Sequence, residues 1–282
     1  MNKPIALITG CSSGFGLLTT LELARHGYLV VATMRDLARR DPLDQAVNAA
    51  GLMEYVSVRQ LDVAEPATHA SFVAAIEADY GRIDLLVNNA GFAMAGFAED
   101  VTLDELRRQF ETNFFGTVSL TKTVLPTMRR QRAGRILMLS SIAGRSAAPG
   151  ISSYCSSKFA LEGYTESLRL EMSPLGIHCV LIEPGSFETA IWYRKENVAA
   201  AADSPTSPNL QRTATFRNYI MKGLQRRDPA EVARLIARVA AMPRPRLRYA
   251  IGPDAKSLLV LRALLPFNLF ERIVVGKLQL GG

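Results

Sequence analysis

A seven-residue run, Lys3 to Thr9 (KPIALIT), stops at the turn Gly10-Cys11-Ser12-Ser13-Gly14-Phe15-Gly16. Short, apolar and ended by a glycine, the run reads as a parallel strand buried on both faces. From Phe15 to His26 apolar residues recur at helical spacing, and Gly27 follows as a natural terminator. Strand, turn and helix open a βαβ unit, which commits the chain to a parallel sheet. Within the turn, Gly10 allows a tight reversal, Gly14 lets backbone approach a pyrophosphate, and Gly16 lets helix and strand pack closely. The helix N-terminus adds partial positive charge for an anion. Ser12, Ser13 and Phe15 complete the candidate contacts of the turn.

The rest of the chain repeats the theme. Tyr28 to Thr33, Tyr55 to Gln60, Ile83 to Val87, Arg135 to Ser140, His178 to Ile182 and Arg248 to Ile251 all read as strands. Helical stretches separate them. One runs from Glu65-Pro66 to Tyr80-Gly81, and one from a capping box at Thr102 to about Arg130, with Pro126 expected to kink or break it. Another spans Ile151 to Ser173, ended by Pro174 and Gly176, and another starts at Asp228-Pro229-Ala230-Glu231. The expected fold is a single doubly wound, Rossmann-like α/β domain: a mostly parallel sheet with helices on both faces and a helical C-terminal extension. With 282 residues, 48% of them hydrophobic, the chain fills one such core and is not disordered.

Composition excludes several functions. Cys11, Cys155 and Cys179 form no CxxC, and His26, His69 and His178 are dispersed, so no metal cluster is assembled. The N-terminus enters a strand at once, leaving no room for an export signal, and a reducing, cytoplasmic location is expected. Net charge is +7, with seven arginines between Arg226 and Arg248, but no nucleic-acid motif accompanies them. A solvated helix face accounts for that charge.

The chemistry concentrates between Ser141 and Lys158. Tyr154 and Lys158 are four apart, so on a helix they share a face. Bringing a phenol from ~10 to about 7 takes roughly 4 kcal/mol of preference for the phenolate. One ammonium at ~4 Å in an effective dielectric of ~20 supplies about that much. Ser141 follows an apolar strand by one residue, at the end that opens into a crevice, and its hydroxyl can hold a carbonyl oxygen.

These residues fall in order with others. Thr9-Gly10-Cys11-Ser12-Ser13-Gly14-Phe15-Gly16, Asn88-Asn89-Ala90-Gly91, Asn113, Tyr154 with Lys158, and Pro184-Gly185 with Thr189 resemble the short-chain dehydrogenases/reductases, from about residue 3 to about 252. The turn departs from G-x-G-x-x-G and matches that family's T-G-x-x-x-G-x-G. The resemblance implies hydride transfer between a nicotinamide and a secondary alcohol or ketone, with Tyr154 as general acid/base. It implies Ser141 holding the reacting oxygen, Lys158 on the nicotinamide ribose, and Asn113 at a helix distortion that holds a water linked to the lysine. Asn89, Ala90 and Gly91 would lie under the adenosine, Pro184 and Gly185 beside the nicotinamide, and Thr189 at its carboxamide or a phosphate. Asp62 and Val63 match the adenine-contacting turn, although Asp62 also reads as an ordinary helix-capping aspartate.

Cofactor choice is read at the end of the second strand, Met34-Arg35-Asp36. An acidic residue there binds a ribose 2′-hydroxyl, and an arginine accommodates a 2′-phosphate. Met34 occupies the acidic slot and Arg35 the basic one, which favours NADP(H), with NAD(H) the alternative through Asp36. The resemblance runs nearest to the branch acting on steroids, retinoids and other lipophilic alcohols, and a homo-oligomer is expected. The alternative is a cofactor-binding sensor or scaffold on the same fold, or a membrane-surface protein acting through its tail.

Residues 1–252 form the catalytic domain, with a substrate lid at about 186–227 that carries Trp192-Tyr193, an alanine run and a Ser-Pro-rich stretch. The lid is expected to order only with ligands bound. Residues 253–282 form the extension, whose apolar run is broken by Arg262, Pro266, Glu271 and Arg272, so it cannot span a bilayer. Two amphipathic helices there would complete a pocket, pack on another subunit, or lie on a membrane surface.

Overall fold

A computed structural model describes residues 3–189, 191, 197–218 and 227–277. Seven segments pair as one sheet: β1 (Ile5–Ile8), β2 (Leu29–Met34), β3 (Val56–Gln60), β4 (Leu85–Asn88), β5 (Gly134–Leu139), β6 (Ile177–Pro184) and β7 (Arg248–Ile251). Their order across the sheet is β3-β2-β1-β4-β5-β6-β7, and every pairing is parallel. The sheet grows one way from β1 to β3 and the other way from β4 to β7. The connections leaving β1 and β4 therefore diverge, and a crevice opens between their carboxyl ends.

Alternate residues of each strand feed two cores, because side chains along a strand point to opposite faces. Ala6, Ile8, Val87, Leu137 and Ile182 join the core covered by α1 (Gly14–Arg25), α2 (Asp41–Ala49) and α8 (Ala230–Ala241). Leu7, Leu86, Ile136, Met138 and Leu181 join the core covered by α3 (His69–Tyr80), α5 (Gly116–Gln131) and α6 (Ser152–Met172). A strand buried on both faces has no polar register to show. That is why these segments read as continuous apolar runs.

The long helix expected from Thr102 to Arg130 is built differently. The capping box is present, with Thr102 Oγ1 accepting from Glu105 N–H and the Glu105 carboxylate accepting from Thr102 N–H. After α4 (Leu103–Phe110), however, the chain widens into a π-turn at Glu111–Phe115 before α5 begins. Pro126 lies inside α5 and does not break it. The interruption falls at Asn113, whose amide bonds outside its own helix. The helix from Asp41, missed in the sequence, carries a Pro in its first turn with Asp41 and Asp44. At the other end of the chain, α8 starts at Ala230, and Asp228 accepts the Ala230 N–H at 2.8 Å.

Among the described residues of the 186–227 segment, read as a lid that orders with ligands bound, there is packing that the sequence did not show. Ala199 and Ala202 are buried against Met94, and a 3-10 turn at Ala200–Asp203 leads on to α7 (Leu210–Asn218). Hydrogen bonds tie it down: Ala200 N–H to Glu105 Oε1 at 2.9 Å and Ser207 Oγ to Asp100 Oδ1 at 2.6 Å. Small alanines seat closely on a neighbouring backbone, a contact that composition does not reveal. Trp192 and Tyr193 lie outside the described residues.

The extension forms two helices, α9 (Pro253–Leu264) and α10 (Phe267–Lys277), and neither lines the cleft. Within them Ala255 and Phe270 are buried, whereas Val260, Leu264 and Phe267 are more than half exposed. Among the described residues no helix is long and apolar enough to cross a membrane.

Ile236 of α8 is fully buried in the first core. Ile236→Ala should cost about 2–5 kcal/mol through lost burial and residual cavity. That magnitude lowers the thermal midpoint by roughly 5–15 °C. A change under about 2 °C in a calorimetric melt would show that α8 is not part of the cooperative core.

Candidate active site

The cleft at the switch point encloses about 420 Å³. Its floor starts at the turn after β1. Gly14 has φ +58, a conformation that favours glycine, and only Thr189 lies within 4 Å of where its Cβ would stand, so the turn presents bare backbone to the cleft. Gly16 does not line the cleft. A methyl there would collide with the Gly10 carbonyl, so its part is the close approach of helix to strand. Ser13 is the N-cap of α1, yet its side chain makes no capping bond. Gly10, Ser12, Ser13 and Phe15 all face the cleft.

The turn after β4 holds this floor in place. Thr9 Oγ1 accepts from the N–H groups of Asn89 and Ala90 at 3.0 and 2.9 Å, and Asn89 Nδ2 donates to the carbonyls of Thr9 and Gly10 at 2.7 and 3.0 Å. Neighbouring Asn88 is buried, donating to Thr121 Oγ1 at 2.9 Å. Asn89, Ala90 and Gly91 line the cleft while stitching the sheet beneath it.

At the β2 end, Arg35 lines the cleft and Met34, although it reaches the same wall, is 2% exposed and belongs to the core. Asp36 is turned to local work: its Oδ1 accepts from Ala38 N–H at 2.9 Å, and its other oxygen lies 3.7 Å from the Arg39 guanidinium. Arg39 faces the cleft too, a second cation that the sequence reading missed. Asp62 lines the cleft with Val63, and its Oδ1 accepts from Ala64 N–H at 2.9 Å. It is not a helix cap, the N-cap of the next helical turn being Glu65.

At the far end lie Ser141, Tyr154, Pro184, Gly185 and Thr189. Ser141 closes β5 and caps the turn that follows, its Oγ accepting from Ala143 N–H at 3.1 Å, and it hydrogen-bonds the Tyr154 phenol. Lys158 and Asn113 are brought to the same place but lie beneath the surface. The Lys158 Nζ donates to the Leu139 carbonyl at 2.6 Å and stands 5.8 Å from the Tyr154 ring centroid. Asn113, in the π-turn, accepts from Phe92 N–H at 3.0 Å and donates to Phe92 O and Ser157 Oγ at 2.9 and 3.2 Å. A Cβ on Gly91 would stand 3.0 Å from Asn113 Oδ1 and 3.9 Å from Lys158 Nζ, so glycine, amide and ammonium share one spot.

The electrostatics differ from the sequence expectation. Burial pushes the Tyr154 phenol up to about 12, with the Ser141 hydrogen bond pulling the other way. Burial likewise brings the Lys158 ammonium down to about 8, partly restored by the Glu162 charge. Desolvation outweighs the ammonium's attraction because both groups are enclosed, and the phenol keeps its proton at neutral pH.

Two residues without a sequence signal support the far end of the cleft. Asp254, at the start of α9, accepts the Ser186 N–H at 2.7 Å and lies against the Gly185 Cα. Phe216 of α7 covers Gly150 and joins Ala93, Ala143, Ile151 and Cys155 in an apolar cluster around Tyr154. No sequence period links a residue in a loop to one sixty or more positions later. Among the described residues no group of His, Cys, Asp and Glu is placed to hold a metal ion.

A doubly wound sheet with this cleft places the chain among the Rossmann-like proteins. It belongs to the short-chain dehydrogenase/reductase family: residues 4–199 match the short chain dehydrogenase profile, and the protein is an oxidoreductase acting on CH–OH and C=O groups. The uncharacterized oxidoreductase YusZ of Bacillus subtilis (strain 168) is 43% identical over 280 residues, covering 99% of both chains. Retinol dehydrogenase 8 of Bos taurus is 36% identical over 270 residues, 92% of this chain and 85% of that one. A crystal structure of a short-chain dehydrogenase from Streptomyces avermitilis is similar with a TM-score of 0.81 at 32% identity, covering 98% of each chain.

Asp254→Ala removes the acceptor of the Ser186 N–H and leaves the 184–186 backbone held only by its bonds to Ile251 and Arg227 among the described residues. An orphaned N–H costs about 1–3 kcal/mol. Dinucleotide affinity, read by fluorescence titration, should fall roughly tenfold, since each ~1.4 kcal/mol is tenfold. Unchanged affinity would show that the loop holds its shape without α9.

Proposed function

We propose that the protein is an NADP(H)-dependent oxidoreductase that moves hydride between nicotinamide C4 and a lipophilic secondary alcohol or ketone. The observation that carries this reading is Tyr154, buried, bonded to Ser141 and backed by Lys158 one helical turn on, at the end of a cleft that begins at the Gly10–Gly16 turn. The fit to a dinucleotide rests on this chain's own features. Gly14 presents bare backbone, the N-terminus of α1 favours an anion, and Arg35 with Arg39 supplies two cations where a 2′-phosphate would stand.

The dinucleotide supplies or takes the hydride. Ser141 and Tyr154 hold the reacting oxygen between two hydroxyls, which fixes its position and polarises it. Tyr154 bears its proton near neutral pH, so it can give that proton to a ketone oxygen as negative charge develops there. The Lys158 ammonium then stabilises the phenolate, and its contact with Leu139 O holds the side chain in place. Asn113 keeps its π-turn through Phe92 and Ser157 and so keeps the space beside Lys158. Phe92, Phe187 and Ile191 in the cleft offer an alkyl or ring skeleton an apolar wall, the cluster of Ala93, Ala143, Ile151 and Phe216 packs around Tyr154, and the 186–227 segment serves as the substrate lid. The likeness to retinol dehydrogenase 8 supports a lipophilic alcohol as the substrate.

NADPH oxidation over ketones of graded size, from acetone through acetophenone to a steroid ketone, tests the reading; binding of NADPH without turnover of any of them would favour a sensor. Tyr154→Phe should lower turnover by about 10²- to 10⁴-fold, the range of general acid catalysis, with cofactor affinity nearly kept. A variant with more than about a tenth of the activity would remove Tyr154 from the mechanism.

A charge-assisted contact from Arg35 to phosphate contributes roughly 1.5–3 kcal/mol, a preference of about 10- to 150-fold for NADPH over NADH. Arg35→Ala should weaken NADPH far more than NADH, and Met34→Asp should move the preference toward NADH. Equal weakening of both by Arg35→Ala would mean that the cation does not face the 2′ position.

A further inference from the structure

Behind Lys158 lies a group of charges that the mechanism above does not use. Glu162 follows Lys158 by one turn of α6 and is 4% exposed; Glu183, in β6 just before Pro184-Gly185, is 1% exposed. Two acids so enclosed are costly unless paired. Arg248, from β7, lies between them, with Nε 2.9 Å from Glu162 Oε2 and 3.4 Å from Glu183 Oε1, and it also pairs with the exposed Glu166. Arg145, at the end of the turn that Ser141 caps, stands 3.2 Å from Glu183 Oε1.

Packing joins this group to the reactive residues. A Cβ on Gly144 would stand 2.9 Å from Ser140 Oγ, 3.0 Å from Glu162 Cγ and 3.1 Å from Lys158 O, so the Ser141 turn rests directly on Glu162 and Lys158. Glu162 Oε1 and Ser140 Oγ are buried and have no hydrogen-bond partner among the described residues. Glu162, Glu166 and Glu183 face Arg145, Arg248 and Lys158, three against three. With the lysine protonated and every carboxylate ionised the group is neutral.

We propose that Glu162 and Glu183, clasped by Arg248 and Arg145, are positioning residues of the reaction: their negative charge keeps Lys158 protonated. This rests on the role given to Lys158 above. Glu183 is pushed up to about 7 by burial and by the Glu162 charge, against the pull of Arg145 and Arg248. The same Glu162 charge acts on Lys158 against its desolvation.

The sign follows. Ketone reduction needs protonated Lys158 and protonated Tyr154, so the rate falls at high pH as the lysine loses its proton. Removing the Glu162 charge makes the ammonium easier to deprotonate, and the alkaline limb moves to lower pH. The experiment is NADPH-dependent reduction of the fastest ketone of the panel from pH 5 to 10, with a thermal melt of each variant. In Glu162→Gln the alkaline limb should shift down by about one unit, and in Glu183→Gln by less, because that carboxylate sits on β6 and not one helical turn from the lysine. Glu162→Asp, which keeps the charge, should hold the limb near its wild-type place. An unmoved limb in folded Glu162→Gln overturns the proposal; if that variant does not fold, an unmoved limb in Glu183→Gln does so. Lys158→Met separates the two readings. A limb that is present in the wild type and lost in Lys158→Met, yet unmoved in the glutamate variants, sinks only this proposal; a limb that persists in Lys158→Met sinks the role of Lys158 itself.

Discussion

The buried ammonium of Lys158 is the constraint on which the catalytic half of the structure depends. A charge in a protein interior is costly unless it is met by acceptors and counter-charge. Here one backbone carbonyl, Leu139 O, accepts from it, and that carbonyl is available because β5 ends at Leu139. Gly91 leaves the room beside the ammonium, and Asn113 fills the rest with an amide oriented by Phe92 and Ser157. The π-turn is the local consequence. An ordinary helix from Thr102 onward would carry an asparagine whose amide had to find its bonds within the helix or in water, and the widened turn sends that amide across to Phe92 instead.

The sheet decides where these pieces meet. In a parallel sheet every strand ends at the same edge, so residues from the ends of β1, β4, β5 and β6 converge although they are far apart in sequence. Thr9 and Asn89 show how tightly. One threonine hydroxyl accepts two N–H groups from the neighbouring loop, and the asparagine amide returns two bonds to the first loop. The glycine turn is therefore held from below as well as along its own chain. Loops fixed in this way keep their shape without a ligand to order them.

What the sequence made legible follows from range. The inner strands were found because a strand buried on both faces is a continuous apolar run; the half-buried edge strands β3 and β7 were found from their β-type residues, and β7 has the bounds expected of it. The glycine turn, Asn89 and the Tyr154–Lys158 pair were readable because each motif is local. Arg39 and Phe216 were not, since their positions depend on where a turn and a distant helix fold back. The alanine run near residue 200 looked loose because small side chains carry little hydropathy; buried against Met94, they fit where larger ones would clash. Pro126 looked like a break, yet the true interruption was set by Asn113, whose bonds are long-range. The low phenol pKa was expected from one charge at an assumed distance, a sum that leaves out the burial of both partners.

That omission bears on what the site does. Phenol and ammonium are each pushed toward neutrality by desolvation, to about 12 and about 8. A unit charge at ~6 Å in an effective dielectric of ~20 contributes about 3 kcal/mol, or roughly two pKa units, toward phenolate with ammonium. Enclosing two ions costs several kcal/mol each, so that attraction does not carry the balance. The favoured state near neutral pH is therefore a protonated tyrosine beside a charged lysine, which is a poised proton donor. In the reaction proposed above, phenolate would form at the moment a substrate oxygen takes the proton, and only then would the ammonium act at full strength. Stabilisation that is absent in the resting site and present as charge develops is what lowers a barrier, rather than merely binding a substrate. A tyrosine already ionised at rest would have given up that difference before any carbonyl arrived.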